Sequence, residues 1–179
     1  MGPVALVTQG RAMRALVAAL VVFFASPVLA FSGDKAFFTG ISYERIYRAQ
    51  GDNGHGMGSH VGFRYMLADD WTLLATASYA AFIGPEPACD LGAIAVGVAY
   101  LIDAVSWVPD FFAGAAFLTG VGHREVGLDL GLLAGMGLEY RPFREFGVGA
   151  RGEYRMPIVH FLDIPGVLSV GVYVVRHFL

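Results

Sequence analysis

The sequence of 179 residues holds one cysteine, one lysine and little charge of either sign. The lone Cys89 excludes an intramolecular disulfide framework and any site built on several thiolates. Charged residues make up 15% of the chain, against about 25% in an ordinary soluble domain. A fully water-facing surface is hard to build from so few. Twelve basic residues stand against fifteen acidic ones, a net charge of −3, so no basic face is available for a nucleic acid. Long hydrophobic runs are missing as well. After residue 30 the longest stretch free of Asp, Glu, Lys and Arg is 71–85, too short for the ~20 apolar residues of a spanning helix. The histidines and acids show no metal-ligand spacing. Glycine-rich 54–58 lacks the Lys-Ser/Thr and the helix of a phosphate loop. Neither a metal nor a cofactor is expected.

What the chain has in quantity is apolar residues, 56%, and glycine, 24 residues. Part of the apolar excess sits at the start. Arg11 and Arg14 precede the apolar run 15–25, Ser26-Pro27 breaks it, and Val28-Leu29-Ala30 supplies small residues at a cleavage site. That is the layout of a secretory signal peptide over 1–30, cut after Ala30. Its apolar core would rise only ~17 Å as a helix, less than a bilayer needs. Without Arg11 and Arg14, 10 of the 12 basic residues remain against 15 acidic ones, so residues 31–179 carry −5.

The remaining chain alternates with period two. From Leu128 every second residue reads Leu128, Leu130, Leu132, Ala134, Met136, Leu138, Tyr140, and the residues between are mostly glycine with Asp129 and Glu139. Such a period is a strand signature. It recurs over 36–47, 58–67, 71–82, 92–101, 109–120, 146–156 and 167–178. In each segment one face is apolar and the other is small or ionic. A small face is a poor surface to show to water. Turning the apolar face to lipid and the small, ionic face to a narrow interior resolves this. Strands of about ten residues cross a bilayer when tilted, and closed barrels of even strand number start at eight. The fold class expected is therefore all-β: an eight-stranded antiparallel up-and-down transmembrane β-barrel over 31–179, behind the signal peptide.

Sidedness follows from the connections. Longer ones at 48–57, 83–91, 121–126 and 157–166 fit the outside, and shorter ones at 68–70, 102–108 and 141–145 fit the periplasm. Aromatics at strand ends fit an interface girdle. Tyr65, Trp71, Tyr100, Trp107, Tyr140 and Phe178 fall near the periplasmic rim. Tyr43, Tyr47, Tyr79, Phe117 and Tyr154 fall near the outer one. Signal peptide, alternating strands and an aromatic-rich last strand together resemble the small outer-membrane β-barrels of Gram-negative bacteria, the OmpA/OmpX-like group. The resemblance implies the bilayer and lipopolysaccharide as surroundings, presentation of the last strand to the barrel-assembly machinery, and a monomer. The final strand departs from the group's pattern at Leu179, where an aromatic is usual, and at Arg176.

Strand parity places Glu44, His60, Arg64, Asp110, Asp129, Glu139, Arg151, Glu153 and Arg155 inside, where charges must pair. A first loop centred near Asp52 sets Glu44 opposite His60. Arg155 is expected near Asp129, and Arg64, Glu139, Arg151 and Glu153 form a mid-barrel network. This predicts a lumen filled by side chains and a structural, surface or adhesive role without catalysis. Two alternatives stand beside it. A narrow gated pore would use exchangeable ion pairs. A lipid-modifying acyl hydrolase or transferase would need a Ser–His–acid set. Its candidates are Ser42, Ser59, Glu44 and His60, but Ser42 and His60 face the lumen and Ser59 faces away. His55 and His123 are expected in loops.

Overall fold

The computed structural model describes residues 34–49, 53–83, 90–102, 106–121, 129–159 and 165–178. The segment 1–30, Cys89, His123, His160 and Leu179 lie outside the described residues. Eight strands follow in chain order: β1 (Lys35–Tyr47), β2 (Gly54–Ala68), β3 (Trp71–Ile83), β4 (Asp90–Leu101), β5 (Trp107–Val121), β6 (Asp129–Phe143), β7 (Phe146–Pro157) and β8 (Gly166–Phe178). Each pairs antiparallel with the next, and β8 returns to β1, so the sheet closes into a barrel. Closure leaves no unpaired edge, which is what a strand in hydrocarbon requires.

The register fixes the barrel's stagger. Partners run from Ala36 through Arg64, Leu74, Gly97, Gly114, Leu133, Arg155 and Val167 back to Ile46, ten positions further along β1 (46 minus 36). A stagger of this size tilts strands by roughly 35–45°. Strands of 12 to 15 residues then cross a hydrocarbon core with a residue or two to spare at each rim. The β2–β3 and β6–β7 turns are tight, at 69–70 and 144–145, and lie at the same end as Lys35 and Phe178. That end is called the terminal end below, and the opposite one the loop end.

Alternation sorts the residues. Outward positions hold exposed apolar side chains, among them Ile41, Leu73, Ile94, Val96, Leu132, Met136 and Val172. By parity, the described strand residues carry outward Asp, Glu, Lys, Arg or His only at two rims. Lys35 and Arg176 are at the terminal end, and Arg45, His55 and Asp90 at the loop end. The wall between is uncharged, as a lipid-facing band must be. Aromatic pairs ring the terminal end: Trp71 with Tyr100 (ring centroids 5.2 Å apart), Trp107 with Tyr140 (4.8 Å) and Phe37 with Phe178 (5.9 Å).

The interior is where expectation and structure differ. It is not only small and ionic. Phe38, Leu74, Phe82, Leu91, Phe112, Leu118, Leu133, Tyr173 and Val175 point in and are buried. Glycine makes room for the largest of them. Phe38 faces Gly62, Phe112 faces Gly135 and Tyr173 faces Gly149 as register partners. A Cβ at any of these three glycines would overlap the partner's ring. The glycine surplus on the inward face is therefore partly a set of seats for rings.

Two strand ends also differ. β2 begins at Gly54, so Gly54-His55-Gly56-Met57 is strand rather than loop, and His55 is an exposed strand residue. β6 runs to Phe143, which shortens the expected 141–145 turn to two residues.

Candidate functional site

Among the described residues, most buried ionic groups lie in the lumen and fall into two clusters. At the terminal end Arg64 of β2 reaches across the barrel. Its Nη1 donates to Glu139 Oε2 at 2.8 Å, and its Nη2 donates to Asp110 Oδ2 at 2.9 Å and to the Tyr173 hydroxyl at 3.3 Å. The other oxygen of Glu139 takes Arg141 Nε at 2.6 Å and His177 Nε2 at 2.7 Å. Glu139 is completely buried. Two arginines thus face two carboxylates, and the cluster is formally neutral.

The loop-end cluster is built along β7. Arg155 donates to Glu153 through Nε at 2.7 Å and also through Nη2, and its Nη1 lies 3.8 Å from Glu44 Oε2. Glu44 Oε1 accepts the hydroxyls of Ser42 and Ser169, each at 2.8 Å. Arg151 Nε stands 3.2 Å from Glu153 Oε2 without hydrogen-bond alignment. Again two arginines face two carboxylates. Beside this group lies a cavity of about 10 Å³, lined in part by His60, Ser78, Arg151, Glu153 and Ser169. It has room for about one water.

A layer of rings separates the clusters. Phe38 and Tyr173 pack in a tilted contact, with centroids 5.5 Å apart and planes at 55°. The Arg64 guanidinium lies 5.2 Å from the Phe38 centroid on one side, and that of Arg151 lies 5.6 Å from it and 3.6 Å from Phe112. Cation–π attraction of this kind is worth about 2 kcal/mol when desolvated. Beyond the loop-end cluster the barrel is closed mainly by apolar residues, Ile46, Phe82, Leu91, Leu118 and Val167, whereas at the terminal end the buried Ala36, Leu101, Val108 and Val175 are interspersed with the cluster, and Arg141 and His177 lie further out along β6 and β8. Paired charges and packed rings fill the lumen.

The residues named from parity are therefore all inside, but several partners change. Glu44 faces Gly56, four positions short of His60 (60 minus 56), and His60 faces Gly40. The β1–β2 register is thus displaced from the expected one, and the glycines at 54, 56 and 58 lie within β2. Arg155 faces Leu133 and pairs with Glu153 and Glu44. Asp129 sits nearer the loop rim, where its Oδ1 accepts the Val159 N–H at 3.1 Å. The mid-barrel network of Arg64, Glu139, Arg151 and Glu153 divides at the ring layer into Arg64–Glu139 and Arg151–Glu153. Both Ser42 and Ser169 donate to Glu44 rather than to a histidine, and Ser59 is an outward residue opposite Tyr79. Sequence reasoning missed Tyr173, His177, Arg141, Phe38 and Phe112. All five lie at inward parity, and three of them sit opposite glycines, which was the available signal.

No family model matches this chain, and no curated protein does. Solved structures do. Neisserial surface protein A superposes with a TM-score of 0.70 at 14% identity, over 82% of this chain and 100% of the other. Ail, the attachment invasion locus protein of Yersinia pestis, gives 0.61 at 18% identity, over 83% and 100%. The N-terminal β-barrel domain of Pseudomonas aeruginosa OprF gives 0.57 at 15% identity, over 80% and 97%. The fold is that of the small outer-membrane β-barrels. Among these small outer-membrane barrels, identities this low carry the architecture and leave the side-chain chemistry to be read from this chain itself.

Proposed function

We propose that this protein is an exported outer-membrane barrel whose work is done at its surface, as a structural or adhesive element, without catalysis or conduction. The observation that supports this is the lumen: two clusters in each of which two arginines face two carboxylates, with rings between them. Eight strands leave an interior just wide enough for side chains, and here they fill it. The names of two fold neighbours, a surface protein and an attachment protein, agree with a role at the cell surface.

Residues 1–30 act as the signal peptide and are removed after Ala30, leaving 31–179 as the barrel domain. The loop end faces outside, the terminal end faces the periplasm, and β8 is the strand offered to the barrel-assembly machinery. The barrel works as a monomer in the bilayer, with lipopolysaccharide around its outer half. Fractionation with a heat-modifiable gel shift tests location and fold together. The barrel is expected in the outer membrane with Phe31 as its first residue. Recovery in the inner membrane overturns the reading. In planar bilayers the purified protein is expected to leave the lipid baseline unchanged, and a stepwise conductance would restore the pore.

A further inference from the structure

At the loop-end rim the outward face carries charges that the lumen does not account for. At the loop end Arg45 of β1 and His55 of β2 are direct register partners. Directly opposed residues on one face of a sheet have Cβ atoms ~5 Å apart. Both are exposed and at outward parity. The next outward residues toward the barrel's middle are Tyr43 and Met57, also exposed. The pair therefore caps an apolar wall at the edge of the lipid-facing band.

Neither residue has a carboxylate partner among the described residues. The outward acid at this rim, Asp90, is taken by the Tyr79 hydroxyl. The Arg45 guanidinium lies 5.3 Å from the Tyr47 ring centroid, which steadies it without neutralising it. An exposed cation at the edge of a hydrocarbon layer costs only about 0–1 kcal/mol by itself, and it stands where lipid headgroup charges lie within its reach. An arginine fork and an imidazole side by side provide several donors directed at one place. A phosphate monoester offers acceptors suited to both, and charge-assisted bonds of this kind are the strong ones. Its acyl chain could run down the wall of Tyr43 and Met57.

We infer that Arg45 and His55 form a seat for the phosphate of a phosphorylated lipid headgroup at the loop-end rim. The inference rests on the outer-membrane reading above and deepens it by naming a lipid class and a place. The Arg176 rim serves as the comparison, since its guanidinium lies 5.1 Å from the Phe178 ring and has no histidine across from it.

The test uses the folded barrel in nanodiscs of phosphatidylcholine doped with phosphatidic acid, with retained lipid counted by native mass spectrometry. Wild type is expected to retain phosphatidic acid over phosphatidylcholine. Arg45→Ala with His55→Ala is expected to lower that retention roughly tenfold, the effect of about 1.4 kcal/mol. Arg45→Lys is expected to lower it by less than the double variant, since the charge stays while the fork is lost, and Arg176→Ala leaves it unchanged. Equal retention by the double variant and wild type overturns the seat. Loss in Arg176→Ala as large as in the double variant overturns its location. Millimolar inorganic phosphate is expected to leave the lipid bound, and displacement by it would move the site from lipid to soluble phosphate. A heat-modifiable shift in every variant keeps failure of the seat distinct from failure of the barrel to fold.

Discussion

The two ends of the lumen solve the same electrostatic problem differently. At the terminal end, Arg64 draws partners from strands far apart in sequence: Glu139, Asp110 and Tyr173 are separated from it by 75, 46 and 109 residues. At the loop end most of the pairing is local. Arg151, Glu153 and Arg155 stand two residues apart along β7, and cross-strand ties come chiefly through Glu44. The first arrangement braces β2, β5, β6 and β8 against one another. The second stiffens one strand and, through Glu44, ties it to β1 and β8. The carboxylates are buried at both ends, so connectivity is the difference that matters. A charge whose partners lie on many strands holds the barrel's cross-section, whereas one paired along its own strand does not.

That contrast can be broken by substitution. Arg64→Met is expected to cost most, about 3–5 kcal/mol, because removing one partner leaves buried charge uncompensated. Asp110 would lose its ion-pair partner, while Glu139 keeps Arg141 and His177. Urea unfolding in lipid vesicles measures it, and a loss no greater than that at the loop end refutes the contrast. Arg155→Met is expected to cost about 1.5–3 kcal/mol, in the range for hydrogen bonds to charged groups. Arg151 still faces Glu153, and the two serines still serve Glu44. Gly62→Ala attacks the layer between. It must displace the Phe38 ring on which both arginines rest, for about 1–3 kcal/mol of overpacking. Near-ultraviolet dichroism should register the moved ring, and an unchanged spectrum with unchanged stability would remove the separating layer from the account. Ser169→Ala is the gentlest, about 0.5–1.5 kcal/mol, since Ser42 still donates to the same Glu44 oxygen. The same unfolding assay resolves it, and a loss matching Arg64→Met would put the brace at the wrong end.

Much of this was legible before any coordinates. Period-two alternation assigns inward and outward faces by arithmetic, so the eight strands and the inward placement of Arg64, Asp110, Glu139 and Arg151 follow directly. Pairing was harder. A hairpin's register depends on where its turn is centred, and moving that centre by two residues moves every partner by four, as Glu44 shows. The start of β2 carries Gly54, Gly56 and Gly58, and glycine suits strand and loop alike, so the centre could not be read. The ring layer was hidden for another reason. Phe38 and Phe112 look like ordinary apolar residues, and their meaning appears only when each is set opposite its glycine on the neighbouring strand.

The closing seam has a consequence for how the molecule forms. Seven of the eight strand pairings join neighbours in the chain, and only β1 with β8 joins distant segments, as with Lys35 opposite Phe178, 143 residues apart (178 minus 35). Hairpins form locally and fast, whereas a contact between chain ends must wait for what lies between. The Arg64 brace has the same dependence, because β2 and β8 come within reach of one side chain only once the sheet has curled. Until then its carboxylates and guanidinium remain unpaired, and the half-made sheet offers two open edges. Time spent in that state sets the window in which a neighbouring chain could pair with β1 or β8 instead.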